Sequence, residues 1–185
     1  MSHFSTDTIL VIEKTLTKDI VNIVDEVMLE NNFTLAHNFS FFHFEDTDPE
    51  SDVDDSKTIL IETLETALQT FEEFKGHPTG GSYSYDMHWG YNEHGQKLGY
   101  EVLVAFLSFD NKNIEAVILY VRDDVFEMAY EKELKKVFAE INKRTKVIAA
   151  TQTTDYYQAD YHEIDIIKEI LSGNIPAKYE YKFTE

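Results

Sequence analysis

Apolar and polar positions along this chain change period several times, and each change marks an element. Thr8 to Glu13 (TILVIE) is a short β-branched run and predicts a strand. Thr17 offers an N-cap. Ile20, Ile23, Val24, Val27 and Met28 follow at helical spacing, and Asn31-Asn32 supplies a stop. Phe33 to Phe44 reads as an aromatic strand without clean alternation. A helix is expected to restart near Asp55-Ser56, with Leu60, Leu64, Ala67, Leu68, Phe71 and Phe74 on its apolar face. Gly76 to Gly81 (GHPTGG) is a Gly/Pro-rich break and a candidate subdomain boundary at 76–81. The length otherwise predicts a single domain, 1–185.

Beyond that break the period becomes two. Tyr83, Tyr85, Met87, Trp89 and Tyr91 alternate with Ser82, Ser84, Asp86 and His88, which predicts a strand with one aromatic face. Asn92 to Gly95 (NEHG) is a turn. Leu98–Phe109 and Ile114–Val121 are apolar on nearly both faces, as expected of central strands covered on each side. Asp124-Val125-Phe126-Glu127 has the form of a capping box. The helix after it carries Tyr130, Leu134, Val137, Phe138 and Ile141. Lys146 to Thr151 returns as a strand. A last helix shows Ile164, Ile167, Ile170 and Leu171, and Tyr179 to Phe183 could close an edge. The pattern predicts an α+β fold: an antiparallel or mixed β-sheet, with a meander in residues 82–121 and about four packed helices.

Charge changes the picture more than any motif. The chain carries 35 acids against 16 Lys and Arg, a formal net of −19. Residues 1–75 hold 17 of the acids and only 4 bases. A negative field repels phosphate backbones and attracts basic surfaces, so direct nucleic-acid binding and anionic membranes are disfavoured and a basic protein partner is the natural complement. Cysteine is absent, which removes disulfides, thiolate metal sites and a cysteine nucleophile. With no signal-like segment and no apolar run of about 18 residues, a cytoplasmic protein is expected. The densest charge is the stretch Glu45, Asp46, Asp48, Glu50, Asp52, Asp54 and Asp55, expected to be a solvated loop and a candidate partner-binding segment. As a calcium loop counted from Asp46 it fails, since Ser51 stands where Gly is needed and Lys57 where Glu is needed.

Other candidate chemistry is sparse. Asp86, His88 and His94 bracket one predicted hairpin and are weak candidates for a metal site. No cofactor is expected, because the phosphate-binding glycine motifs and the serine nucleophile elbow are missing. Tyr83, Tyr85 and Trp89 are candidate partner-binding residues, as Tyr and Trp recur at interaction hot spots; the competing reading of their stripe is core packing. Lys132, Lys135, Lys136, Lys143, Arg144 and Lys146 form a basic cluster. It serves either to neutralise acids within the fold or to meet the acidic half of a second copy in a homodimer. The leading expectation is a non-catalytic acidic binding protein that engages a basic protein, in its sharpest form a bacterial immunity-type inhibitor of a toxin. The alternatives are an enzyme or small-ligand module with its pocket at the aromatic hairpin 82–100, and a DNA-mimic regulator.

Overall fold

Strand β1 (Ser5–Leu16) sends Ile9 and Val11 to one side and Leu10 and Ile12 to the other, and all four are fully buried. A strand with two apolar faces needs cover on both, and the fold supplies it. The computed structural model describes residues 5–43, 57–60, 63, 65, 66, 69, 79–109, 113–155 and 160–173. Among them, helix α1 (Thr17–Glu30) follows β1. Strands β2 (Thr34–His43), β3 (Lys57–Leu60), β4 (Thr79–Tyr91), β5 (Lys97–Ser108) and β6 (Asn113–Arg122) come next. Helix α2 runs without break through an α-helical Asp123–Ala129, a π-helical Tyr130–Leu134 and an α-helical Lys135–Arg144. Strand β7 (Val147–Asp155) and helix α3 (Asp160–Leu171) complete the described order.

The strands form one sheet in the order β3-β2-β4-β5-β6-β1-β7, and every pairing is antiparallel. The expected α+β class is therefore observed, in its antiparallel form. The described residues hold three helices rather than about four. On one face, Ile20, Val24 and Met28 of α1 and Leu134, Phe138 and Ile141 of α2 pack on Leu10, Val104, Phe106 and Leu119. On the other, Ile166, Ile167 and Ile170 of α3 pack on Ile9, Val11, Leu107 and Ile118. The segments expected as central strands are β5 and β6, and they do lie inside the sheet. None of the helices among the described residues is long and apolar enough to cross a membrane.

Several local expectations need correction. Thr17 is the first helical residue; Leu16 takes the N-cap position and no side chain caps α1. Asn31-Asn32 does end it. Asn32 takes φ 66°, while the Asn32 and Phe33 amides donate to the carbonyls of Leu29 and Met28, both at 3.0 Å, a Schellman closure. Lys57–Leu60, expected at the start of a helix, is strand β3, with Ile59 opposite Phe39. Helical residues occur later, at Glu65, Thr66 and Gln69. The capping box at Asp124 does not form; Asp124 pairs instead with Arg122, next to the chain's entry into α2. Thr79 to Gly81 of the glycine-rich break lie within β4, paired to both β2 and β5. Tyr179 to Phe183 lies outside the described residues.

Burial along β5 is also less uniform than its sequence predicts. Its inner half is buried on both faces, but Leu103 is 36% exposed. Val117→Ala should therefore cost about 2 kcal/mol, since Val117 is fully buried, and Leu103→Ala only about 1 kcal/mol. Urea midpoints of the two variants measure this; equal losses would mean that Leu103 is covered in solution.

Candidate functional site

The outer end of the β4–β5 hairpin combines exposed aromatic and charged side chains, and backbone geometry puts them there. The ladder pairs Met87 with Tyr100 and His88 with Gly99, then skips a residue so that Gly90 faces Leu98 and Tyr91 faces Lys97. Trp89 is the extra residue of this bulge, and Gly90 takes φ +134°, a conformation that L side chains rarely adopt. Gly99 is equally constrained: a Cβ there would collide with the carbonyl oxygen of Met87. A bulge reverses the facing of the residues after it. Tyr91 therefore leaves the aromatic stripe and joins His88 on the opposite face, their rings edge to face at 5.1 Å.

The stripe thus divides into three parts. Tyr83, Tyr85 and Met87 are core. Trp89 sits at the rim of the core face, 37% exposed, and Tyr91 stands 68% exposed on the other face. Tyr83 and Tyr85, expected as partner-binding candidates, are fully buried and cannot meet a partner; of the three, Trp89 alone reaches solvent. The sequence pattern was strict enough to hide this. The available signal was Gly90, a glycine inside a strand, which often marks a bulge.

Trp89 is held from α2. Its indole N–H donates to Glu133 Oε1 at 3.3 Å, and Lys132 Nζ lies 4.3 Å above the ring centroid. Tyr100 donates its hydroxyl to Glu133 Oε2 at 3.0 Å, and its ring lies 5.3 Å from that of Trp89. Lys132 and Glu133 both lie within the π-helical turn of α2, a feature that recurs at functional sites. A cation over an indole face and a carboxylate on its N–H fix the ring's orientation. Along the same helix Asp123, Glu127 and Glu131 stand exposed at four-residue spacing, and Asp123 Oδ1 accepts from the Thr6 hydroxyl at 2.9 Å. Glu133 was not singled out from the sequence, and Lys132 only as a member of the basic cluster, because the meeting of Glu133 with Trp89 spans 44 residues.

The remaining candidates are dispersed. Asp86 pairs with Lys97 at 3.7 Å. His88 Nδ1 donates to the Leu98 carbonyl at 3.0 Å, and His94 lies in the exposed turn, 3.5 Å from Glu93. No group of three His, Cys, Asp or Glu side chains among the described residues is placed to hold a metal ion. Glu45, Asp46, Asp48, Glu50, Asp52, Asp54 and Asp55 lie outside the described residues. Much of the basic cluster is engaged within the chain. Arg144 reaches Glu30, Glu26 (3.5 Å) and Glu140 (3.8 Å), and Lys146 meets Glu13 at 2.9 Å. Glu26 and Glu30 crowd the C-terminal end of α1, where the helix dipole disfavours them and Arg144 offsets the cost. The hydrogen bond that Arg144 donates to Glu30, then the charges of the surrounding carboxylates, hold its guanidinium above its ordinary pKa.

At the base of the hairpin lies a groove of about 300 Å³. Asp86 and Met87 of β4 and Lys97, Gly99, Tyr100 and Glu101 of β5 line it, together with Arg122 and Val125, where β6 turns into α2.

These features define an antiparallel α+β domain with helices on both sheet faces and an exposed aromatic and acidic end. No known protein family and no curated protein matches the chain. A similar solved structure is the toxic C-terminal tip of CdiA from Pseudomonas aeruginosa in complex with immune protein. The likeness is 16% identity at a TM-score of 0.40, over 82% of this chain and 86% of that one, too distant to bear on activity.

The buried phenols give a pH prediction. Tyr85 donates to Asp25 Oδ1 at 2.8 Å and lies 3.5 Å from the Tyr83 hydroxyl. Burial is the main cause that pushes Tyr83, Tyr85 and Tyr100 above the ordinary tyrosine range, and the charges of Asp25 and Glu133 add to it. The unfolded chain ionises these groups near pH ~10. Their raised folded pKa values thus give stability that is complete below that pH and is lost as pH rises above it. An absorbance titration of the 11 tyrosines should show at least three that ionise only with alkaline unfolding. Ionisation of all 11 in one reversible step, in folded protein, would contradict the burial of this network.

Proposed function

We propose that this chain is a non-catalytic binding protein whose acidic surface engages a basic protein. The observation that carries the reading is Trp89, an exposed tryptophan held in one orientation by Lys132 and Glu133 of α2, the helix that also presents Asp123, Glu127 and Glu131 to solvent. Interfaces draw their energy from a few rigid aromatic anchors, and charge around them supplies speed and selectivity. A pre-set indole loses little freedom on binding. The net charge of −19 supports the same polarity of partner. Ion pairing of Arg144 and Lys146 with α1 and Glu13 favours neutralisation within the chain over the homodimer alternative.

In its sharpest form the partner is a toxin with a cationic cleft, and this chain is the immunity-type inhibitor that blocks it. A DNA-mimic regulator belongs to the same class, its partner being a basic DNA-binding surface. The small-ligand alternative would place its site in the groove at residues 97–101. There the walls are strand backbone and paired charges (Asp86 with Lys97, Arg122 with Asp124) rather than side chains converging on one point.

The test is kinetic. Used as bait in its native host, the chain should retain a basic protein in stoichiometric amount. Replacing Asp46, Asp48, Asp52 and Asp54 with Asn should slow association with that protein and reduce its salt sensitivity, leaving dissociation little changed. Trp89→Ala should do the reverse, raising the dissociation rate about tenfold. An Asn variant that associates at an unchanged rate with unchanged salt dependence would reduce the acidity to a solubility device and remove the immunity-type reading.

A further inference from the structure

We propose that the open flank of β5 at Lys97–Glu101 receives an extended segment of the basic partner as an added strand. The inference rests on the reading above and specifies how that partner is held.

Strand β5 pairs with β4 along its outer half as far as Lys97, but its pairing with β6 begins only at Val102, opposite Val121. Beyond that point β6 ends at Arg122 and the chain turns into α2. Residues 97–101 therefore have a strand neighbour on one side only, among the described residues. On the other side, alternate backbone N–H and C=O groups have no strand partner among the described residues, and the groove of about 300 Å³ lies along this segment. An unpaired strand edge is a template for another strand, and proteins guard such edges by keeping them short or recessed. This one is both: the β6–α2 corner, with Arg122 and Val125, stands across the groove. A recess of this form admits one strand and obstructs a second copy, whose own corner would stand in the way.

Side-chain chemistry fixes what the strand should carry. Tyr100 faces the core side, beside Val125, whereas the alternating Glu101 points the other way and is exposed. Lys97 and Arg122 are already matched by Asp86 and Asp124. Glu101 is exposed and has no ion pair among the described residues, so it leaves one uncompensated carboxylate on that face. An incoming strand thus meets an apolar wall on one face and acid on the other. Alternating apolar and basic residues fit both, the arrangement expected when main-chain bonds give affinity and alternate side chains give selectivity.

The probe is the heptapeptide acetyl-Lys-Val-Lys-Val-Lys-Val-Lys-amide, titrated at low ionic strength into the full, isotopically labelled chain and followed by amide NMR. Two further peptides carry N-methyl groups on the Val or on the Lys nitrogens, so that each blocks one edge of the strand. The plain peptide should shift and protect the amides of 97–101. One methylated form should bind roughly tenfold more weakly, having lost two or so main-chain hydrogen bonds, while the other keeps its affinity. Glu101→Lys, at an exposed position, should weaken the plain peptide and leave the remaining amide spectrum unchanged. Equal binding of all three peptides, with shifts spread over acidic surfaces elsewhere, overturns strand addition and leaves the acidic-surface reading standing. Absence of binding by every peptide overturns both. Concentration-dependent shifts at 97–101 without peptide would show that a second copy occupies the edge, and would overturn the proposal as well.

Discussion

The close approach of β4 and β5 at Met87 and Gly99 is the constraint on which the functional end of this molecule depends. With no Cβ at Gly99, the Met87 carbonyl can lie against β5, and the ladder then slips by one residue at Trp89. Two consequences follow from that slip. Trp89 is carried to the rim of the core face, within reach of the π-helical turn of α2. Tyr91 is turned to the opposite face beside His88. The open flank has a separate cause: β6 ends at Arg122 and turns into α2, so the outer half of β5 extends past it. A regular hairpin would have continued the aromatic stripe along one face.

The charge distribution has a comparable logic. Arg144, at the end of α2, and Lys146, just after it, are spent within the chain, where they offset Glu26, Glu30 and Glu13. Exposed pairs of this kind contribute little to stability individually, about 0–1 kcal/mol. Their effect is to remove positive charge from the surface. Asp123, Glu127 and Glu131 stay exposed on α2, the helix whose Lys132 covers Trp89, so acid and aromatic anchor share one element.

Much of the fold was legible because burial on two faces leaves a local trace. The β-branched run of β1, the helical spacing of Ile20, Val24 and Met28, and the apolar lengths of β5 and β6 each follow from elements that must be covered. What could not be read depends on distant partners. Strand β3 is four residues whose Leu60 fits a helical spacing with Leu64 equally well; only pairing with β2 decides it. The match of Asp124 to a capping box was real in spacing and empty in structure, because Arg122 beside it offers a stronger partner. At the site, the aromatic residues were visible in sequence but their division was not. Strict alternation implied one face, and the bulge that breaks it is announced only by Gly90. Lys132 was legible only as one member of a basic cluster, and Glu133 lay within a basic and acidic helix that offered no reason to choose it.

The central claim is that the end of the molecule formed by Trp89, the open flank of β5 and the first turns of α2 is its binding surface. Hydrogen–deuterium exchange of the chain alone and in complex with its captured partner tests this most directly, since amides covered by an interface exchange more slowly. The account predicts added protection at residues 88–90, 97–101 and 123–133, with little change along α1 and β7. Protection confined to α1, β7 or α3, with the hairpin end unchanged, would contradict it.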